Sequence, residues 1–217
     1  MNTETLIHNL ALECRPVTPV SHPAVMSMKA IFAAAMLVGT GVLILRPFPG
    51  AAGFLADPAF VTLGAAMLGV ALICSASAFF LAVPNERKIV SIVVPIAAAV
   101  LLPVSAAYFF AAPDVSDSRP TLICIMRIFG LSVVPALWTF YMLKKAAPMR
   151  AGLIGLLAVL SSLSFAAVGV QFVCRSPFPT HIIVWHVLPV FILATVGIFV
   201  GRLLFVWNVD GRVAGDR

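Results

Sequence analysis

The sequence predicts an all-α, polytopic membrane protein with six transmembrane helices and both termini in the cytoplasm. Three observations predict it. The 217 residues are 62% hydrophobic and only 10% charged, too little charge to cover the surface of a soluble domain of this length. Six apolar stretches are each long enough to cross a bilayer, which takes ~20 residues. The basic residues, which give a formal net charge of +6, are divided very unequally between the two sides of those stretches.

The predicted spans cover Met28–Leu45, Phe60–Val83, Ile89–Ala111, Leu122–Leu143, Ala151–Val173 and His181–Gly201. Turn or charge signals end each one: Arg46-Pro47, then Pro84 to Lys88, Pro113-Asp114 to Pro120, Lys144 to Arg150, and Arg175 to Pro179. All loops are short, so the excess of Lys and Arg on the cytoplasmic side sets orientation. Arg15, Lys29, Arg87, Lys88, Lys144, Lys145, Arg150, Arg202, Arg212 and Arg217 share the side of the termini, whereas only Arg46, Arg119 and Arg175 lie opposite. Small-residue pairs, Ala35 with Gly39, Ala65 with Gly69 and Gly197 with Gly201, are candidates for close helix crossings. Pro95, Pro103, Pro135 and Pro189 fall inside spans and are expected to kink them.

Three regions follow: residues 1–27, 28–207 and 208–217. The middle region is the six-helix membrane domain and the last a cytoplasmic tail. The first is too polar to span and carries no signal-peptide core. Leu6, Ile7, Leu10, Ala11 and Cys14 recur at helical spacing and form one apolar stripe. Pro16, Pro19 and Pro23 then stiffen the connection to the first span. Helices that lie on membrane lipid usually carry Lys and Arg on the polar face. This one carries Glu4, His8, Asn9 and Glu13, with no base before Arg15. Leu6, Ile7, Leu10, Glu13 and Arg15 are therefore candidate contacts for a groove on a soluble partner, with packing on lipid as the alternative.

Chemistry-bearing residues are few. Cys14 belongs to the reducing side, and Cys74 is mid-span, a small apolar filler. Cys124 opens the fourth span and Cys174 closes the fifth. Because consecutive spans run in opposite directions, both thiols lie at similar depth on the outer side, where disulfides are permitted. Arg127, one turn from Cys124, is the one charge inside the six spans apart from Lys29 at the very start of the first, and such charges mark candidate sites. A guanidinium beside a thiol favours thiolate, the form that reacts and binds soft metals. Cys124 and Cys174 are thus candidate metal ligands and, with Arg127 and His186, the candidate sensor. His181 is five residues from His186, which on an α-helix does not place both on one face.

No span contains Asp or Glu, which proton- and cation-coupled transporters need. The chain carries no P-loop, no H-E-x-x-H, no G-x-S-x-G and no C-x-x-C. The expectation is a sensor or scaffold and not an enzyme, without a resident cofactor and without direct nucleic-acid contact. A small-solute permease or transport subunit, using Ser161, Ser162, Ser164 and Gln171, is the rival reading, and a membrane thiol redox protein is a third.

Taken in order, Leu10-Ala11, Arg15-Pro16-Val17, Asp57-Pro58, Cys124, Cys174 and Trp185-His186 give the chain its family resemblance. Over about residues 6–207 it resembles the NrsF-like anti-sigma factors. The resemblance implies a bacterial inner-membrane protein whose partner is an extracytoplasmic-function (ECF) sigma factor. It implies that the cysteine pair senses heavy-metal or oxidative stress, with transient heavy-metal binding, after which the sigma factor is released. The flanks of the second cysteine depart from the family pattern. Val173 stands where His often precedes it, and Arg175 where a Pro-acidic pair follows. That weakens metal ligation more than thiol-based sensing.

Overall fold

The computed structural model describes residues 2–13, 21–83, 122–146, 148, 150–176 and 178–205. They form an all-α protein. Helix α1 spans Thr3–Glu13, α2 Pro23–Leu45, α3 Pro58–Ala82, α4 Leu122–Lys144 and α5 Ala151–Gln171. The last helix, α6, runs over Pro179–Leu204. Helices α2 to α6 are all long and apolar enough to cross a membrane. At 1.5 Å per residue the 23 residues of α2 reach about 35 Å, against a hydrocarbon core of about 30 Å. The predicted third span, Ile89–Ala111, with Pro95 and Pro103, lies outside the described residues.

Local sequence fixes the helix starts. Pro23 and Pro58 occupy first-turn positions, where a missing N–H costs nothing. The residue before each proline supplies the cap. The Ala24 N–H donates to His22 Nδ1 at 3.2 Å, and the Ala59 N–H donates to Asp57 Oδ1 at 2.9 Å. Asp57-Pro58 is thus a helix-start signal as well as a family motif. Between α2 and α3 the chain turns through Gly50, at φ 98°, into a 3-10 turn over Ala51–Ala56. The positive φ is one that glycine adopts without a Cβ clash.

Helix α5 is the centre of the bundle, and α3, α4 and α6 all pack on it. Its crossing with α6 is a backbone contact. A Cβ on Gly155 would collide with the Gly197 carbonyl and lie 2.7 Å from the Gly201 Cα. The Gly197–Gly201 pair therefore makes the close approach its spacing predicts, with Gly155 as the unanticipated partner. The other two small-residue pairs make no such approach among the described residues. Ala35, Gly39 and Ala65 are exposed or face outward, and no described atom lies within 4 Å of a Cβ built on Gly39 or Gly69. Polar side chains reinforce the crossings. The Ser161 hydroxyl donates to the Ala71 carbonyl of α3 at 2.8 Å, and Ser162 donates to Ala158 in its own helix at 2.9 Å. Two of the four groups proposed for a permeation path are thus engaged in helix packing. Large apolar residues cover the outside, among them Phe32, Met36, Met126, Phe129, Phe199 and Leu203. This is the inverted surface of a membrane protein, which keeps its polar atoms inside.

The glycine crossing gives a direct test. Gly155→Ala should destabilise the protein by about 1–3 kcal/mol through overpacking, read as a lower melting temperature in detergent. Gly39→Ala should stay within about 0.5 kcal/mol of the parent. An unchanged melting temperature for Gly155→Ala would refute the backbone contact.

Candidate functional site: a buried thiol and imidazole cluster

The site is built at one end of the bundle by three separate pieces of chain. Cys124 sits in the first turn of α4 and is 2% exposed. Cys174 follows the end of α5, where the Cys174 N–H donates to the Val170 carbonyl at 2.8 Å and the Val173 N–H to the same carbonyl at 3.0 Å. These bonds curl the chain tightly and turn Cys174 inward, where it is buried. The α2–α3 loop braces this turn. The Phe48 N–H donates to the Phe172 carbonyl at 3.0 Å, and Phe48, Phe54, Phe60 and Phe172 pack ring on ring with centroids 5.7–5.8 Å apart.

The third piece is the start of α6. Residues Pro179–Ile182 form an α-helical turn, and Ile183–Val187 then form a π-helical one. The Leu188 N–H donates to the Ile183 carbonyl, five residues back. The cause is Pro189. It has no N–H for the Trp185 carbonyl, and its ring would clash there in a regular helix. Widening the turn relieves both problems. It also corrects the reading of the histidines. On an α-helix, positions five apart point about 140° away from each other, whereas an i→i+5 turn stacks them on one face. His181 and His186 accordingly share a face, with ring centroids 5.6 Å apart.

The four side chains meet. Cys124 Sγ and Cys174 Sγ are 3.6 Å apart. His181 Nε2 lies 3.4 Å from Cys174 Sγ and 3.8 Å from Cys124 Sγ. With His186 they form a group whose four ligand atoms all lie within 4.8 Å of one another, every residue buried. The cysteines are free thiols. A hydrogen bond with the Cys124 thiol, and then one with His181, hold Cys174 below the usual thiol range against the opposing effect of burial. The imidazoles are under-used. His181 Nδ1 and both ring nitrogens of His186 are buried without a hydrogen-bond partner among the described residues. An unsatisfied buried polar group costs about 1–3 kcal/mol.

A cavity of about 550 Å³ opens onto the pair, lined by Cys124 and Cys174 together with Arg46, Arg127 and Arg175. Arg127 therefore belongs to the mouth of the site. The structure brings together Cys124, Cys174, Arg127 and His186 from the sequence reading, and adds His181. Leu6 and Ile7 lie on α1, 40% and 61% exposed, and far along the chain from the cluster. Leu10 and Glu13 are on the same helix, and Arg15 lies outside the described residues.

Fold and site together define a helical membrane protein with a thiol and imidazole cluster at one end. The NrsF family model, described as negative regulator of sigma F, matches residues 10–207. The chain belongs to this family, one of negative regulators of a sigma factor. No curated protein and no solved structure matches it.

The thiol contact makes a simple prediction. A disulfide needs sulfurs 2.03–2.05 Å apart, so closure requires a movement of only about 1.6 Å. Diamide treatment should join Cys124 to Cys174 within one chain, read as a linked peptide pair by mass spectrometry, with Cys74 left free. Recovery of both cysteines as unlinked thiols after full oxidant treatment would refute the contact.

Proposed function

We propose that the chain is an anti-sigma factor of the bacterial inner membrane that holds an ECF sigma factor away from RNA polymerase. It releases that factor when its outer-face thiols meet metal or oxidative stress. The observation that carries the reading is the contact between Cys124 and Cys174 inside a buried cluster open to a vestibule. Two free thiols at this distance respond to either stimulus, by joining or by ligating. The protein acts on no substrate and is not an enzyme.

Input and output lie at opposite ends of the bundle. Arg46 at the end of α2, Cys124 at the start of α4 and Cys174 after α5 all line one cavity. The start of α2 at Pro23 and the end of α6 at Leu204 are a full helix length away from it. The excess of bases among Lys29, Lys144, Lys145, Arg150 and Arg202 favours a cytoplasmic location for that far end. Helix α1 is tethered there. Its exposed Leu6, Ile7 and Leu12, with Glu4 and Glu13, suit an apolar groove with a basic rim on the sigma factor. Lipid contacts belong to the apolar outer faces of α2, α4 and α6. A stimulus that shifts α4 against α5 at the cysteines also shifts the Lys144–Arg150 connection at the other end.

Release needs two states that differ in sigma affinity, and a coupling of about 1–3 kcal/mol gives about 5–150-fold. The full chain should co-purify with a sigma factor. Leu6→Glu with Ile7→Glu should reduce that capture by at least tenfold, and undiminished capture would sink the docking role of α1. Cys124→Ser with Cys174→Ser should retain the sigma factor during cadmium or peroxide stress. Normal release by that variant would remove the thiols from the mechanism.

A further inference from the structure

Sequence spacing alone does not present the four converging side chains as a set. Cys124 and Cys174 are separated by 50 residues, and the two histidines share a face through the π-helical turn. We propose that Cys124, Cys174, His181 and His186 form a tetrahedral binding site for one borderline or soft divalent cation, of the class that includes Zn²⁺, Co²⁺ and Cd²⁺. The site stands on its own geometry; its use as the signal input rests on the sensor reading above.

The distances carry the first part of the case. Zinc bonds to sulfur at about 2.3 Å and to imidazole nitrogen at about 2.0–2.1 Å. At tetrahedral angles, two such sulfurs lie about 3.8 Å apart, and a sulfur and a nitrogen about 3.5 Å apart. The sulfurs here are separated by 3.6 Å, and His181 Nε2 lies 3.4 and 3.8 Å from them. Three edges of a ligand tetrahedron already have nearly their final length. His186 approaches the same point, within the 4.8 Å that encloses all four ligand atoms.

The second part is independent of those distances. His186 is fully buried, and among the described residues neither of its ring nitrogens has a partner; His181 Nδ1 has none there either. Thiols in hydrogen-bond contact leave His186 without a task, whereas a cation gives its free nitrogen lone pair one. Charge also balances. The two thiol protons leave to solvent on binding, and two thiolates with a dication make a neutral group, the form that burial tolerates. Donor type sets selectivity, since two sulfurs and two imidazoles suit zinc, cobalt and cadmium and not magnesium or calcium. The vestibule that reaches both cysteines provides the path.

The test uses the full-length chain, reduced and purified in detergent. Titration with Co²⁺ should give one ion per chain, with the visible ligand-field bands of tetrahedral cobalt and a thiolate-to-cobalt charge-transfer band, both abolished by Zn²⁺. X-ray absorption of the zinc-loaded protein should show two sulfur and two nitrogen neighbours. Loss of tightly held outer-shell partners already weakens metal sites by about 10–100-fold, so His186→Gln and His181→Gln should each weaken zinc by about 100-fold or more. Cys74→Ser should change nothing. Absence of bound cobalt, a six-coordinate oxygen-rich site, or an unchanged affinity and spectrum in His186→Gln would each overturn the proposal. The absorption measurement needs no variant, so a misfolded substitution does not shield the idea. Ion binding that leaves the sigma factor bound would overturn the sensor reading and leave the site standing. Stress-induced release by a chain that binds no ion would do the reverse.

Discussion

A chain in hydrocarbon must satisfy its own backbone, because no water is present to do it. That constraint makes the described part of this protein a set of helices, and it gives weight to any place where a long helix changes its hydrogen-bond pattern. Helix α6 does so at Ile183–Val187 and again at Thr195. At Thr195 the side-chain hydroxyl donates to the Ile192 carbonyl at 2.7 Å, on the exposed side. At Ile183–Val187 the wider turn keeps the backbone bonded while turning one extra residue toward the interior. Pro189 dictates the defect, and the defect converts an unfavourable histidine spacing into a shared face.

The rest of the bundle serves to hold that end still. Helix α5 meets α6 backbone to backbone at Gly155, Gly197 and Gly201, and it is bonded to α3 through Ser161 and the Ala71 carbonyl. These contacts fix α5 between its neighbours. The turn at its end carries Cys174 and is braced by the aromatic stack from Phe48 to Phe172. The cluster is therefore mounted on the most constrained helix, while Cys124 approaches from α4 and the histidines from α6. Any event that shortens or lengthens the distances among these residues acts across three helices at once.

How much of this was legible in the sequence depends on which physical signal carried it. Five of the six apolar runs reappear as helices with ends shifted by a few residues, because composition and length dominate in a bilayer. The helices begin at Pro23 and Pro58, ahead of the predicted Met28 and Phe60, because the caps at His22 and Asp57 act on the first turn and hydropathy does not register them. The cysteine pair was legible from alternation of span direction alone. The histidine pair was not, because periodicity arguments assume 3.6 residues per turn and Pro189 breaks that assumption four residues upstream of its own position. Of the small-residue pairs, Gly197 and Gly201 meet a partner, whereas Gly39 and Gly69 have none among the described residues. The partner itself, Gly155, was missed although Ala151-x-x-x-Gly155 carries the same small-residue spacing, because spacing does not say which helix a pair will meet.

The position of Arg127 ties these points together. An arginine in a span marks a candidate site, and a long side chain can also carry its charge toward the membrane surface; the two are compatible here. It lines the vestibule with Arg46 and Arg175, so it faces water while standing one turn from Cys124. A charge so placed does not bear the full cost of burial in hydrocarbon. It marks where the aqueous phase reaches the bundle. Beyond that point lie Cys124, Cys174 and the buried imidazoles, whose free ring nitrogens have no partner among the described residues. The cavity thus leads by steps from a cationic mouth to a buried cluster of soft donors. Under the proposed function, a chemical stimulus admitted at the mouth would act on groups carried by three different pieces of the chain, so that a change at one end of the bundle is felt by α4, α5 and α6 together.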